Sequence, residues 1–220
     1  TQFESGYPFE IFDDNVNNAH PLKGIGRVKM SNLCTEILQL QTTSNITDMD
    51  VPNEYGLDVS CNLGSLDIHK ATQSEDFEEL VDTSMQLLTN VSEMTYIKNV
   101  PSVAKANELM HSVGLGVMNL HGHLVQSNLL YGSDESIQFI DYFMEALNFY
   151  SLKASMEIAK KKNKTFYGFE HSEYANGHYF DQYVNKMDVE PSEKVKQALG
   201  NVPVITADMW KELKAQVQEH

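Results

Sequence analysis

The chain has 220 residues, 41% of them apolar and 10% aromatic, a globular composition with material for one good core or two small ones. Acidic residues outnumber basic ones by 31 to 16; the net charge of -15 argues against binding a phosphate backbone and reads as a solvated acidic surface. No secretory leader or membrane-spanning run is evident, and two cysteines are too few to staple a secreted scaffold, so the expectation is a cytoplasmic protein that binds neither nucleic acid nor membrane.

Residues 7–12 read as a short strand or an extended lead-in, residues 13–20 as one or two polar helical turns stopped by Pro21, and residues 23–27 as a loop. The string Asn32-Leu33-Cys34-Thr35-Glu36 alternates. In extended backbone, side chains at i, i+2 and i+4 share a face, which predicts Asn32, Cys34 and Glu36 on one side and Leu33, Thr35 and Ile37 on the other. Residues 36–41 are apolar enough for a strand, and residues 42–54 form a polar excursion. Residues 57–68 alternate about the small centre Ser60-Cys61-Asn62-Leu63-Gly64-Ser65 and read as a buried strand running into a turn.

Beyond residue 74 the period becomes helical. Phe77, Leu80, Val81, Leu88 and Val91 fall on one stripe that Pro101 closes. A second helix is expected from Val103 into the apolar residues 114–120, whose glycines either break it or allow close packing. Ser133 followed by Asp134 and Glu135 marks the start of a long helix that ends at Lys160-Lys161-Lys162, cations suited to its C-terminal dipole. Residues 166–183 read as a packed aromatic loop, and residues 193–199 and 207–218 as two short helices. The chain is thus expected to be mostly helical, with two or three strands near its front whose sheet continues elsewhere.

Few constellations carry chemistry. Cys34 and Cys61 lack the close ligand spacing of a zinc site, and His121 and His123 are too near each other to share a helix face, so they read as surface or packing residues. Gly114-Leu115-Gly116 is not a full dinucleotide fingerprint, and neither a P-loop nor a serine elbow is present. A buried cysteine is ordinarily inert, and Asn-x-Cys-x-Glu alone is more often incidental than catalytic. The longer strings around both cysteines raise the odds.

Ser31-Asn32-Leu33-Cys34-Thr35-Glu36-Ile37 resembles the active-site finger loop of the large subunit of class I ribonucleotide reductases, and Ser60-Cys61-Asn62-Leu63-Gly64-Ser65-Leu66 resembles the strand carrying one of that family's redox cysteines. Ser112-Val113-Gly114-Leu115-Gly116-Val117-Met118 and Gly168-Phe169-Glu170-His171-Ser172-Glu173-Tyr174-Ala175 are similar to further family segments. The resemblance covers essentially the whole chain and is greatest to the class Ib branch. Thr35, where many relatives have Ser or another residue, is a departure expected to point away from the reactive face.

The resemblance implies an α/β fold: a central fragment of the catalytic domain, part of a ten-stranded α/β barrel, with the finger loop and barrel strands in residues 1–70 and a mainly helical part in residues 71–220. It implies that Cys34 carries a thiyl radical that removes the 3′ hydrogen of a ribonucleoside diphosphate. Glu36 would take the 3′ hydroxyl proton, Asn32 would orient the substrate hydroxyls, and Leu63 would contact the substrate. Cys61 would help reduce the 2′ carbon as water leaves. The implied partners are the substrate, the remaining segments of the large subunit, a small subunit whose di-metal centre supplies the radical, and a thioredoxin- or glutaredoxin-like reductant. No cofactor is expected on the fragment itself, and nucleotide effectors are expected to bind outside it.

The family's second redox cysteine is expected upstream of Thr1. The re-reducing cysteine pair, the tyrosines of the radical path and the phosphate loop that follows Trp210-Lys211-Glu212-Leu213 are likewise expected elsewhere, and a start at Thr1 suits an excised or processed piece. The expectation is therefore a reductase fragment that works when complemented. The alternative is a non-catalytic helical scaffold or interaction fragment, against which the retention of Asn32, Cys34, Glu36 and Cys61 counts.

Overall fold

The computed structural model describes residues 2–48 and 52–219. The middle of the polar excursion, residues 49–51, lies outside them. In chain order the elements are α1 (Gln2–Ser5), α2 (Asp13–Ala19), β1 (Asn45–Ile46), β2 (Pro52–Glu54), β3 (Leu63–Asp67), α3 (Ile68–Ala71), α4 (Phe77–Met94), α5 (Pro101–Met110), β4 (Gly114–Met118), α6 (Leu120–Gln126), α7 (Asp134–Lys162), α8 (Asp181–Val184), α9 (Glu193–Leu199) and α10 (Ala207–Glu219). The chain divides into two compact units: one holds Thr1–Cys61, Glu93–Ser112 and Phe166–Tyr179, the other Asn62–Ser92, Val113–Thr165 and Phe180–His220.

In the first unit, Leu57, Ala106 and Met110 form a buried cluster with Leu22 and Leu109 against it. β1 and β2 pair antiparallel, with Asn45 opposite Glu54, and a single bridge joins Thr42 to Leu57. Residues 36–41, expected as a strand, form no ladder; their apolar side chains Ile37 and Leu40 are buried without one. The aromatic loop packs as expected. Phe166 meets Phe169 edge-on at 5.5 Å and Tyr174 tilts onto Tyr179 at 4.7 Å, while Tyr167 N–H donates to the Leu109 carbonyl and Glu173 N–H to that of Pro21.

In the second unit, β3 and β4 lie parallel, with Leu63 opposite Gly114 and Asp67 opposite Met118. Residues 114–118 were expected inside a helix and are a strand instead. Helix α5 ends at Met110, capped by His111 in the left-handed conformation, and residues 114–118 pair with β3 instead of continuing it. The strand expected over residues 57–68 is confined to β3 and begins on an exposed Leu63. Two glycines let the elements approach closely: a methyl on Gly114 would lie 2.6 Å from Leu63 Cδ2, and one on Gly64 would lie 3.3 Å from Leu88 Cδ2 of α4. Pro101 does not close the preceding helix, which ends at Met94; it opens α5 at its first turn, where its missing N–H costs nothing. Val91 is exposed, so the apolar stripe of α4 stops at Leu88.

Helix α7 is the spine of the second unit. The Ser133 hydroxyl accepts from Ser136 N–H, and three lysines fill its last turn, as its sequence predicts. Its buried face carries Phe139, Phe143, Leu147 and Tyr150, and Phe77 of α4 stands edge-on to Phe143 at 5.8 Å and to Tyr150 at 6.0 Å.

His123 is packed as expected, stacked 4.7 Å from Phe139, while His121 is exposed. Its polar partners fix its tautomer. Nε2 lies 3.1 Å from the Ala198 carbonyl and must carry the proton, so bare Nδ1 accepts from His69 Nδ1–H at 3.2 Å, and His69 Nε2 accepts from Gln73 at 3.0 Å. Burial holds the His123 imidazole below its ordinary 6.5; the Ala198 carbonyl opposes that, His69 adds to it, and Asp67 opposes it. The unfolded chain therefore takes up the proton first as pH falls. This stability is complete above pH 6.5 and is lost as pH drops through the folded value. We expect the urea midpoint to fall between about pH 7.5 and about pH 5.5 by more in the native chain than in His123→Gln. Equal falls in both proteins would show that His123 is not the source.

Candidate functional site

The loop that carries Cys34 is anchored at its base by α2. The buried side-chain amide of Asn17 accepts from Val28 N–H at 2.8 Å and donates to the Val28 carbonyl at 3.1 Å, standing in for a neighbouring strand. From Val28 the chain runs to a tight turn. Thr35 N–H donates to the Asn32 carbonyl at 3.1 Å, and Asn32 N–H to the Ile37 carbonyl at 3.3 Å. The Asn32 side chain closes the same loop, its Oδ1 accepting from Ile37 N–H at 3.0 Å. Asparagine at the first position of a turn commonly satisfies backbone donors in this way.

Residues 32–36 are therefore a turn and not an extended segment, and the predicted sharing of a pleat face by Asn32, Cys34 and Glu36 does not hold. The turn collects them differently: Cys34 stands at its tip with an exposed, free thiol, Glu36 leaves it exposed, and Asn32 is half-buried at its neck. Thr35 is no neutral departure. It sits at φ 69°, a left-handed conformation that a β-branched residue adopts only under strain.

Because Ile37 N–H claims the oxygen of the Asn32 amide, its nitrogen faces away and lies 3.7 Å from Cys61 Sγ. That contact joins the two cysteine-bearing strings, which are far apart in sequence. Cys61 is itself free and exposed. Its segment is tied to α5: Ser102 Oγ donates to Asp58 Oδ2 at 2.6 Å, Asp58 N–H donates to the Ser102 carbonyl at 3.3 Å, and Ser60 Oγ donates to Asn107 Oδ1 at 2.7 Å. Of these four residues the sequence names only Ser60, within the string around Cys61; the pairings themselves cross from one element to another with no periodic signal. Leu63 falls in the other unit, where it opens β3 over Gly114.

The arrangement offers two thiols, one carboxylate and an oriented amide donor. Asn32 does two jobs that substitution can separate. Asn32→Ala should free the Ile37 amide and speed its hydrogen exchange about fivefold, the factor of one net hydrogen bond. Asn32→Asp keeps the acceptor and should leave that exchange near the native rate. Equal acceleration in both variants would mean that the side chain does not close the loop.

A family model of the ribonucleotide reductase barrel domain aligns with residues 1–220. The chain belongs to that family. Among its relatives, the ribonucleoside-diphosphate reductase subunit alpha of Bacillus subtilis (strain 168) is 47% identical over 218 residues, which cover 99% of this chain and 31% of the relative. The protein of the same name from Mycoplasma pneumoniae is 42% identical over 229 residues, again 99% of this chain and 31% of the relative. The ribonucleoside-diphosphate reductase NrdEB subunit alpha of Bacillus subtilis is 40% identical over 212 residues, 96% of this chain and 19% of the relative. The chain thus spans about a third or less of the length of these relatives.

Proposed function

We propose that this chain supplies the cysteine-bearing centre of a class Ib ribonucleoside-diphosphate reductase large subunit and reduces ribonucleoside diphosphates once the rest of that subunit complements it. The observation that carries the reading is the Asn32 amide lying 3.7 Å from Cys61 Sγ, on the turn whose tip is Cys34. The Cys34 thiol, as a thiyl radical, takes the 3′ hydrogen atom of the substrate. Glu36 accepts the proton of the 3′ hydroxyl as that carbon's radical forms, a general-base task within the range of a positioned carboxylate. The 2′ hydroxyl leaves as water. Cys61 and a second thiol outside this chain become a disulfide, one of their hydrogens leaving with the 2′ hydroxyl as water and the other going to the 2′ carbon; Glu36 returns its proton to the 3′ oxygen, and Cys34 returns its hydrogen atom to the 3′ carbon.

Asn32 orients the substrate hydroxyls in this scheme, and Leu63 contributes an apolar contact to the substrate. The two-stranded parallel sheet is read as part of the family's ten-stranded barrel, with residues 1–70 as finger loop and barrel strands and residues 71–220 as the mainly helical remainder. A small subunit bearing two metal ions supplies the radical. A thioredoxin- or glutaredoxin-like protein reduces the disulfide, nucleotide effectors act on other segments, and the assembly works in the cytoplasm.

The test is reconstitution with flanking segments from a relative, a small subunit, reductant and effector. Deoxyribonucleoside diphosphate formation that depends on this chain is the expected result. Its absence from the complete mixture, when an intact relative is active under the same conditions, would contradict the reading.

A further inference from the structure

The segment that ends at Cys61 is not held by a strand ladder among the described residues, because β3 begins only at Leu63 and the last bridge before it is at Leu57. Helix α5 takes the place of a ladder. Ser102 grips Asp58 through side chain and backbone, at 2.6 and 3.3 Å, and Asn107 accepts from the Ser60 hydroxyl at 2.7 Å. Asn107 is 5% exposed, and its amide nitrogen donates in turn to the Thr95 carbonyl at 3.5 Å. Asparagine is a poor residue for a helix interior and is costly to bury without partners. At position 107 its polar atoms are spent on the residue immediately before Cys61 and on the segment leading into α5.

We propose that Asn107, assisted by Ser102, is a positioning residue for Cys61: α5 holds residues 58–60 so that Cys61 Sγ stays at the Asn32 amide. The proposal rests on the reading of Cys61 as a redox thiol, since delivery of hydrogen to a substrate carbon tolerates little misplacement of the donor atom. Asn107 touches no reacting atom in this scheme and acts through Ser60. Asp58 and Ser102 fix the other end of the same short span, so loss of the Ser60 tie loosens the end that carries Cys61.

The test is alkylation of the full chain with iodoacetamide, reading the rate at Cys61 against that at Cys34 in the same molecule by mass spectrometry. Ser60→Ala removes the hydroxyl at a half-buried position and creates little space, so it keeps the fold; Asn107→Ala removes the other partner. Each should raise the ratio of Cys61 to Cys34 labelling about fivefold, the factor of one net hydrogen bond. Ser60→Thr should restore the native ratio, and the double variant should exceed neither single one, because both remove the same contact. An unchanged ratio in Ser60→Ala would overturn the proposal, as would full additivity in the double variant. The ratio is read without turnover, so a failed reconstitution would refute the reductase reading and leave this result standing. In the reconstituted enzyme, Ser60→Ala should lower kcat and leave KM unchanged; a raised KM with native kcat would also count against a positioning role.

Discussion

Replacing Cys34 by Ala in the reconstituted reductase should abolish deoxyribonucleotide formation, while replacing Glu36 by Gln should leave a measurable remnant. The difference follows from chemistry. A thiol exchanges a hydrogen atom with a carbon-bound hydrogen and can return it, and a methyl group does neither, so no slower route exists for the Cys34→Ala protein. Glu36 moves a proton, and a positioned general base contributes about 10²–10⁴-fold, so the Gln variant should retain about 10⁻² to 10⁻⁴ of the native rate. Both side chains are exposed on the turn formed by residues 32–35 and its exit, so neither substitution should alter the fold. Product formation by chromatography, with circular dichroism as the control for folding, reads both. Native activity in Cys34→Ala would end the assignment of the radical to this residue.

The largest effect on stability should come from Trp210, the only tryptophan in the chain. It is fully buried, stacked 4.2 Å from Tyr183, edge-on to Phe149 at 5.0 Å, and tilted 6.2 Å from Phe180. Its indole N–H donates to Glu145 Oε1 at 2.8 Å, and the same carboxylate accepts from Lys186 Nζ at 2.5 Å, which also donates to the Ile205 carbonyl at 2.7 Å. One ring therefore joins α10 to α7 and to the residues around α8, and orients a half-buried ion pair. Trp210→Ala opens a large cavity and should cost about 3–5 kcal/mol. Trp210→Phe fills most of the space but removes the indole donor from Glu145, and should cost about 1–3 kcal/mol. Urea unfolding followed by circular dichroism measures both. A loss below 1 kcal/mol for the Ala variant (~1 kcal/mol being the typical effect of a point mutation) would mean that this cluster does not hold the unit together.

The helices were legible where a local signal existed. Ser133 caps α7 and three lysines close it, and residues 193–199 form α9 with the expected bounds. The polar turns before Pro21 form α2, and the aromatic loop packs as its composition implies. What failed was set by contacts that no local period records. Residues 114–118 are equally apolar as helix or strand, and the left-handed His111 together with pairing to β3 decides for strand. The alternation at residues 32–36 suggested a pleat, but the Asn32 side chain satisfies Ile37 N–H and closes a turn, a competition that Asn conducts with regular structure wherever it stands.

The same turn explains why the site was partly readable. Residue identities placed an amide, a thiol and a carboxylate in one string and a second thiol in another. Geometry then reassigned the parts. Asn32 is committed by its oxygen to the loop and only by its nitrogen to Cys61, and Thr35 carries backbone strain that its sequence setting did not announce. The ties from α5 to Asp58 and Ser60 could not be anticipated, since each joins residues more than forty positions apart.

The most direct test of the central claim, that Asn32, Cys34, Glu36 and Cys61 form one substrate-facing centre, is cysteine footprinting of the complemented protein. Alkylation rates at Cys34 and Cys61 would be measured with and without a saturating ribonucleoside diphosphate, with binding verified by equilibrium dialysis. The account predicts that the substrate slows labelling of both cysteines together. Bound substrate with both cysteines labelled at their free rates would contradict it.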